Sequence, residues 1–304
     1  MKILVTGGAG FIGSHIVEHF HNDHEVLVVD NLRSGFRRNL EGFNCAFHQV
    51  SITDRENLLP LFEGVERVFH LAAMITVPES LDKPTECVQI NTTGTLNVLE
   101  AAREHGVRKV VFASSAAIYG ENPEVPKRED MLPEPKSPYA VSKLDGEYYL
   151  KIFEDEWGVG AGPLRFFNVF GPRQDPQSQY AAAIPIFIHS ALRGEDITIF
   201  GDGSQVRDFV YVKDVVAACV LASEKGGPVC NVARGEHITI NDIASQIIEL
   251  TGSTSKIVHL DSRPGDIHTS YADISRLKSR GYSPSQDQRE SLVATIRYFE
   301  SQLA

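Results

Sequence analysis

The chain has 304 residues, 42% of them hydrophobic and 23% charged, which is the mixture of an ordinary globular protein and excludes a disordered or fibrous one. Its net charge of -11 repels phosphate backbones, and apart from Arg33, Arg37 and Arg38 no basic cluster offsets it, so nucleic acid is excluded as a partner. No apolar run approaches the roughly 18 residues of a membrane span, no basic-then-apolar leader follows Met1, and Cys45, Cys87, Cys219 and Cys230 show neither zinc-site pairing nor disulfide density; a reduced, cytoplasmic protein is expected.

In chain order, a strand is predicted at Lys2 to Thr6, running into Thr6-Gly7-Gly8-Ala9-Gly10-Phe11-Ile12-Gly13. Glycines there permit a tight turn and let backbone amides reach a pyrophosphate at the start of the next helix, Gly10 to His21. In that helix His15, Glu18 and His19 match an H-x-x-E-H metal signature. A helix that turns Ile12, Ile16 and Phe20 onto a sheet is expected to leave those three on its outer face, so no metal is expected. The second strand, Glu25 to Asp30, ends on an acid that can accept from adenosine ribose hydroxyls and repels a 2′-phosphate. Strand, glycine loop, helix and acid together read as a dinucleotide site that favours NAD, with Arg33 the nearby cation that would suit NADP.

Further strands are predicted at Ala46 to Val50, Arg67 to His70, Lys109 to Ser114 and Gly162 to Arg165, and helices at Asp54 to Phe62, Thr85 to His105 and Pro138 to Trp157. Runs apolar on both faces are what buried parallel strands require, so the fold class is α/β, a doubly wound parallel Rossmann-type sheet with ligands at the carboxyl ends of its strands. The last helix carries Tyr139 and Lys143, four apart and therefore on one face, as for a tyrosine general base beside an ammonium. Ionising a phenol near pH 7 needs about three pKa units, on the order of 4 kcal/mol, and one positive charge at about 4 Å supplies nearly that at an effective dielectric near 20.

After Asn168 the order changes to a Gly/Pro/Gln-rich loop from Gly171 to Tyr180, a helix to Arg193, short strands around Ile197 and Val210, and mixed elements with two final helices separated at Gly281 and Pro284. Residues 1–168 read as a nucleotide-binding domain to which 209–233 return, and 169–304 as a second, smaller α/β substrate domain. The helices from Thr85 and Pro138 are apolar on more than one face, the second through Leu144, Tyr148, Tyr149, Ile152, Phe153 and Trp157; one stripe can cover the sheet, which leaves apolar surface for a partner.

The glycine loop, Asp30-Asn31-Leu32, His70-Leu71-Ala72-Ala73, Asn91, Ser114-Ser115-Ala116-Ala117-Ile118-Tyr119-Gly120 and Tyr139-x-x-x-Lys143 together resemble the extended short-chain dehydrogenase/reductase family. Arg165-Phe166-Phe167-Asn168-Val169-Phe170-Gly171-Pro172-Arg173, Gly201-Asp202-Gly203, Arg207 to Asp214 and Arg263-Pro264-Gly265-Asp266 extend the likeness over essentially the whole chain, toward its nucleotide-sugar 4-epimerases. The resemblance implies an NAD-dependent UDP-hexose C4 epimerase with Tyr139 as base, Lys143 lowering its pKa and Ser115 hydrogen-bonding the reacting oxygen. It implies cofactor contacts from Gly7, Gly10, Phe11, Ile12, Gly13, Asp30, Asn31, Ser34, Gly35, Ser51, Ile52, Leu71, Ala72, Ala73, Asn91, Tyr139, Lys143 and Phe166. Toward a UDP-sugar it implies Ser115, Asn168, Arg207, Arg263, Asp266 and Ser270, and it implies a homodimer. Ser270 is small where some relatives carry a large aromatic, so UDP-N-acetylglucosamine and UDP-N-acetylgalactosamine are expected as substrates beside UDP-glucose and UDP-galactose.

Rival branches make different demands. A 4,6-dehydratase would carry an acid pair where Ala116 and Ala117 stand, and a uronate epimerase a cation where Asp175 stands, with threonine in place of Asn168. A nucleotide-sugar dehydrogenase or reductase and a uronate-type epimerase remain the alternatives. A dinucleotide sensor without turnover would not need Ser115, Tyr139 and Lys143 together.

Overall fold

Six apolar runs pair side by side in parallel: β1 (Lys2–Thr6), β2 (Glu25–Val29), β3 (Ala46–His48), β4 (Arg67–His70), β5 (Lys109–Ser115) and β6 (Gly160–Phe166). With Cys230–Val232 at one edge the sheet has seven strands, in the order Cys230–Val232, β6, β5, β4, β1, β2, β3. The computed structural model describes residues 1–176, 182–262, 268–284 and 287–303. Ile3, Leu4, Val5, Val28, Val68, Phe69 and Val110 are fully buried, which is why these strands read as continuous apolar runs instead of alternating ones. Successive strands lie on one side of β1 as far as β3, and β4 lies on the other. Thr6 has Val29 and His70 as its register neighbours, so the loops after β1 and β4 part at a topological switch point, where such sheets bind ligands.

Helix α1 (Phe11–Phe20) follows β1. One helical run from Pro84 widens into π-helical turns over Val88–Thr93 and continues as α2 (Gly94–Glu104). Such local widening is frequent at functional sites. Helix α3 (Pro138–Trp157) starts and stops for legible reasons: Ser137 Oγ accepts from Ala140 N at 3.2 Å, Pro138 takes the first helical position, and Gly158 ends the helix left-handed at φ 71°. A Cβ at Gly146 would lie 2.3 Å from Phe112 Cζ, so glycine is what lets α3 approach β5.

The chain falls into two units. One comprises Met1–Asn122, Glu129–Phe166 and Val216–Asn231; the other comprises Pro123–Arg128, Phe167–Val215 and Val232–Ala304. Phe209–Tyr211 stays with the second unit because it pairs in parallel with Asn168–Phe170, so the chain returns to the first at Val216 and not at 209. The second unit also holds a three-stranded sheet of Ile238–Thr239, Val206–Arg207 and Thr269–Ser270, and the strand pair Ile197–Phe200 with Ile257–Leu260. Its long helices are Ala183–Leu192, Ile240–Thr251 and Gln288–Leu303. The excursion Pro123–Arg128, absent from the sequence reading, joins this unit through Lys127 N to Tyr271 O at 2.8 Å.

His15 corrects the expectation for α1. It is buried, with Nδ1 3.1 Å from Glu18 Oε2 and its ring edge-on to Phe11, and the turn Arg37–Leu40 packs against the same helix. Among the described residues no His, Cys, Asp and Glu group could hold a metal ion, and no helix is long and apolar enough to cross a membrane.

Candidate active site

The turn after β1 is built without side chains because none would fit. Gly7 is left-handed at φ 69°, and a Cβ there would stand 2.7 Å from Ala72 N; one at Gly13 would stand 2.1 Å from Gly7 O. Gly10 N donates to Gly7 O at 3.1 Å, and helix α1 begins at Phe11, so the early amides of Phe11, Ile12 and Gly13 are the orphan donors of a helix start. Gly35 closes on this loop from the other side, where a Cβ would meet Ala9 C at 2.9 Å. Asp30 ties the parts together: Oδ2 accepts from Ala9 N at 2.9 Å and Oδ1 from Leu32 N at 2.8 Å. Burial raises its carboxyl above the ordinary range, against the lowering by those two amides.

Beside Asp30 opens a cleft of about 400 Å³ lined by Asn31, Arg33, Ser51, Thr53, Glu86, Gln89, Ile90 and Thr93. Ser34 is exposed, and Ile52 is buried against Gly94. A cradle that a Cβ would fill, helix-start amides and a held carboxylate at the neighbouring strand end are what a dinucleotide with two phosphates and two riboses requires.

The loop Leu71-Ala72-Ala73 is fastened from below by a chain of hydrogen bonds. Thr95 Oγ1 donates to Asn91 O at 2.5 Å and so accepts from His70 Nε2 at 2.9 Å, which leaves His70 Nδ1 to accept from Thr6 Oγ1 at 2.7 Å. Thr6 Oγ1 in turn accepts from Ala72 N at 3.3 Å. Asn91, in the π-helical turns, is buried and clamps the Met74 backbone with both ends of its amide, at 2.7 and 3.1 Å, while Nδ2 also donates to Ser142 Oγ at 3.0 Å. Asn91 thus joins the loop after β4 to α3.

Burial first, and then the Lys143 ammonium, hold His70 down to about 3 from 6.5. The fold keeps it neutral while an unfolded chain protonates it, so its stabilising contribution is complete above pH 6.5 and is lost as pH falls toward 3. In urea unfolding followed between pH 6 and 4, His70→Asn should flatten the loss of stability with pH by about 1.4 kcal/mol per unit. Equal slopes for the two proteins would contradict this.

Tyr139, Ser115 and Lys143 come together in the first unit. The Tyr139 hydroxyl is hydrogen-bonded to Ser115, whose Oγ also accepts from Ala117 N at 3.1 Å. Ser115 pairs in register with Phe166 across β5 and β6. Lys143 is buried, its Nζ 5.7 Å from the Tyr139 ring centroid and 2.8 Å from Ala113 O, which takes one of its three N–H groups. Burial lowers the ammonium to about 8 and raises the Tyr139 phenol, in which the Ser115 hydrogen bond is the opposing influence. The phenol is therefore protonated here at neutral pH. Tyr139 N donates to Ser80 Oγ at 3.1 Å, which anchors the start of α3.

In the second unit Asn168, Arg207 and Ser270 are neighbours by strand pairing: Asn168 lies opposite Phe209, and Ser270 opposite Arg207. Asn168 Nδ2 donates to Asp208 O at 3.0 Å, and Arg207 Nη1 to Val206 O at 3.0 Å. Asp208 is fully buried and ties the segments after two strands, accepting from Arg234 N at 2.9 Å, Gly235 N at 3.0 Å and Ala272 N at 3.4 Å; burial raises it to about 6 against these amides. Arg263 and Asp266 lie outside the described residues.

The sequence reading missed the residues that hold this machinery. Glu147 has a recognisable signal, since 139, 143 and 147 form one helical stripe, and a buried acid there demands a cation. Thr6, Thr95 and Asp208 have no local signal.

The family model described as the NAD dependent epimerase/dehydratase family matches residues 3–233. A UDP-glucose 4-epimerase of Thermotoga maritima, solved with UDP-glucose, is 43% identical with a TM-score of 0.96, covering 100% of both chains. A UDP-N-acetylglucosamine 4-epimerase of Methanobrevibacter ruminantium, solved with UDP-N-acetylmuramic acid, is 42% identical with a TM-score of 0.96, covering 99% of this chain and 98% of that one. A UDP-glucose 4-epimerase of Mycolicibacterium smegmatis is 38% identical over 312 residues, 99% of each chain.

Proposed function

The chain belongs to the NAD dependent epimerase/dehydratase family, and from that premise we propose that it inverts C4 of UDP-hexoses, interconverting UDP-glucose with UDP-galactose and UDP-N-acetylglucosamine with UDP-N-acetylgalactosamine. The observation that carries this reading is the hydrogen-bonded Ser115 and Tyr139 pair with buried Lys143, its Nζ 5.7 Å from the Tyr139 ring, in the same unit as the glycine cradle. Gly7, Gly10, Gly13, Asp30, Asn31 and Lys143 would hold NAD. When bound, NAD supplies a reversible two-electron acceptor for the carbon being inverted. Tyr139 takes the C4 hydroxyl proton at its phenolic oxygen and later returns it, and Ser115 donates to the same sugar oxygen, so the sugar passes through a 4-keto form. The two N–H groups of Lys143 not given to Ala113 are available to a ribose, and the positive charge of an oxidised cofactor would join the Ser115 hydrogen bond in opposing the burial that keeps the phenol protonated.

Asn168, Arg207, Arg263 and Asp266 are proposed to hold the UDP, because an acidic chain that binds a diphosphate must supply local cations and amide donors. Ser270 is proposed to admit the acetamido group. The test is a panel of UDP- and dTDP-sugars incubated with the purified protein and no added cofactor. UDP-galactose should give UDP-glucose without lasting NADH, and Ser270→Tyr should slow the acetamido pair far more than the hexose pair. Stoichiometric NADH, or equal losses for both pairs, would overturn the respective part.

A homodimer belongs to the same reading. Val141, Tyr148 and Ile152 form an exposed stripe on α3, at 45%, 58% and 46%, with Val88 exposed on the preceding helical run. Sedimentation should give twice 33.6 kDa. A cytoplasmic setting completes it, where the four free cysteines stay reduced; cell fractionation checks this.

A further inference from the structure

Three residues beyond Asp30, the cleft acquires a cation that is already spoken for. Two local hydrogen bonds shape the loop: Asp30 Oδ1 accepts from Leu32 N at 2.8 Å, and Asn31 Oδ1 accepts from Arg33 N at 3.0 Å, with Leu32 left-handed at φ 61°. The loop carries Arg33 to the wall of the cleft, where its guanidinium forks between two carboxylates. Nη1 donates to Glu86 Oε1 at 2.5 Å and Nη2 to Glu79 Oε1 at 2.7 Å. Both acids come from the short helices Val77–Asp82 and Pro84–Cys87, and Lys83 between them stands 3.8 Å from each. Among the described residues lining the cleft, Arg33 is the cation and Glu86 the anion.

An arginine three residues after the ribose-binding acid would ordinarily be the group to receive a 2′-phosphate, as a planar fork on a dianion. Here both terminal nitrogens are engaged. With Asp30, the rim carries three carboxylates against two cations. We infer that Glu79 and Glu86 set the choice of NAD over NADP by occupying Arg33, so that selectivity rests on this pair as well as on Asp30. The inference rests on reading the cleft beside the glycine loop as the NAD site. A 2′-phosphate, with a charge of about -1.5 to -2 at pH 7, would have to displace at least one carboxylate from Arg33 and then share the cleft with it. Replacing both glutamates by glutamine keeps their size, frees the guanidinium and changes the sign of the rim from net negative to net positive.

The test is a competition. Protein is equilibrated with NAD and NADP at graded ratios, and the bound nucleotide is released by acid and quantified by chromatography, which reads selectivity without reference to turnover. In Glu79→Gln/Glu86→Gln the bound NADP-to-NAD ratio should rise by about tenfold or more over wild type, the size of one or two partly screened charge interactions. Adding Arg33→Ala to that double variant should return the ratio to within about threefold of wild type, because the freed guanidinium is the receptor for the phosphate. An unchanged ratio in the double variant with NAD still bound would overturn the inference alone, as would a gain that survives Arg33→Ala. Failure of wild type to retain or bind NAD at all would overturn the reading of the cleft and the inference with it.

Discussion

Tyr139→Phe is expected to lower turnover of UDP-galactose by roughly 10²- to 10⁴-fold, the usual contribution of a positioned acid or base, while leaving bound NAD unchanged. Only the hydroxyl is removed, and what it touches in the protein is Ser115. The ring still packs at 5.7 Å from Lys143 Nζ, and the helix start is still held by Ser80 through the Tyr139 backbone amide. A proton carrier is lost without loss of fold. The measurement is steady-state turnover together with the nucleotide content of the purified variant. Activity within about threefold of wild type would remove Tyr139 from the mechanism, whatever the family does elsewhere.

The largest expected effect on stability is at Arg165. Its guanidinium is bidentate on Glu147, with Nε to Oε1 at 2.9 Å and Nη2 to Oε2 at 2.8 Å, and Nη1 donates to Tyr119 Oη at 2.9 Å. Ser114 Oγ donates to the same carboxylate at 2.5 Å, and Tyr119 Oη to Asn231 Oδ1 at 2.6 Å. The two charged side chains are only 4% and 8% exposed. Arg165→Met leaves Glu147 charged and buried without its partner, and should cost about 3 to 5 kcal/mol in urea unfolding. Arg165→Met combined with Glu147→Leu removes both charges and should cost much less than the sum of the single changes, because most of each single loss is the penalty of the abandoned partner. A single loss below about 1 kcal/mol, or simple additivity, would contradict this account. The same pair bears on the chemistry, since Glu147 pins α3 to β5 and β6 one turn beyond Lys143 and thereby sets where Tyr139 meets Ser115.

Much of the nucleotide-binding framework was legible because it is written in consecutive residues. The doubly wound sheet followed from the alternation of apolar runs with helical patterns, and α3 begins and ends at Pro138 and Trp157 as its cap residues dictate. The glycine turn was legible because a missing Cβ is a local property with a local consequence. The small elements were not: Val77–Asp82, started by Thr76 Oγ1 accepting from Glu79 N, and Val206–Arg207 are too short to show a period, and the second exists because its backbone pairs with the remote segments Ile238–Thr239 and Thr269–Ser270. His15 was misplaced for a related reason. Helical periodicity describes one face against the sheet but cannot announce that His15, off that face, will be buried, nor that a later turn, Arg37–Leu40, packs against the helix.

By itself, then, the sequence determined the fold class, the dinucleotide turn with its terminal acid, and the four-residue spacing that puts Tyr139 and Lys143 on one face. Each depends on backbone sterics or helical geometry within a short window. Only the tertiary structure decided the pairings: Arg33 with Glu79 and Glu86, Arg165 with Glu147, and His70 between Thr6 and Thr95. It also decided the balance at Tyr139, where burial raises the phenol although a lysine lies one turn away. Charge, desolvation and hydrogen bonding act through space, and the distances that weigh them against one another exist only once remote segments have packed.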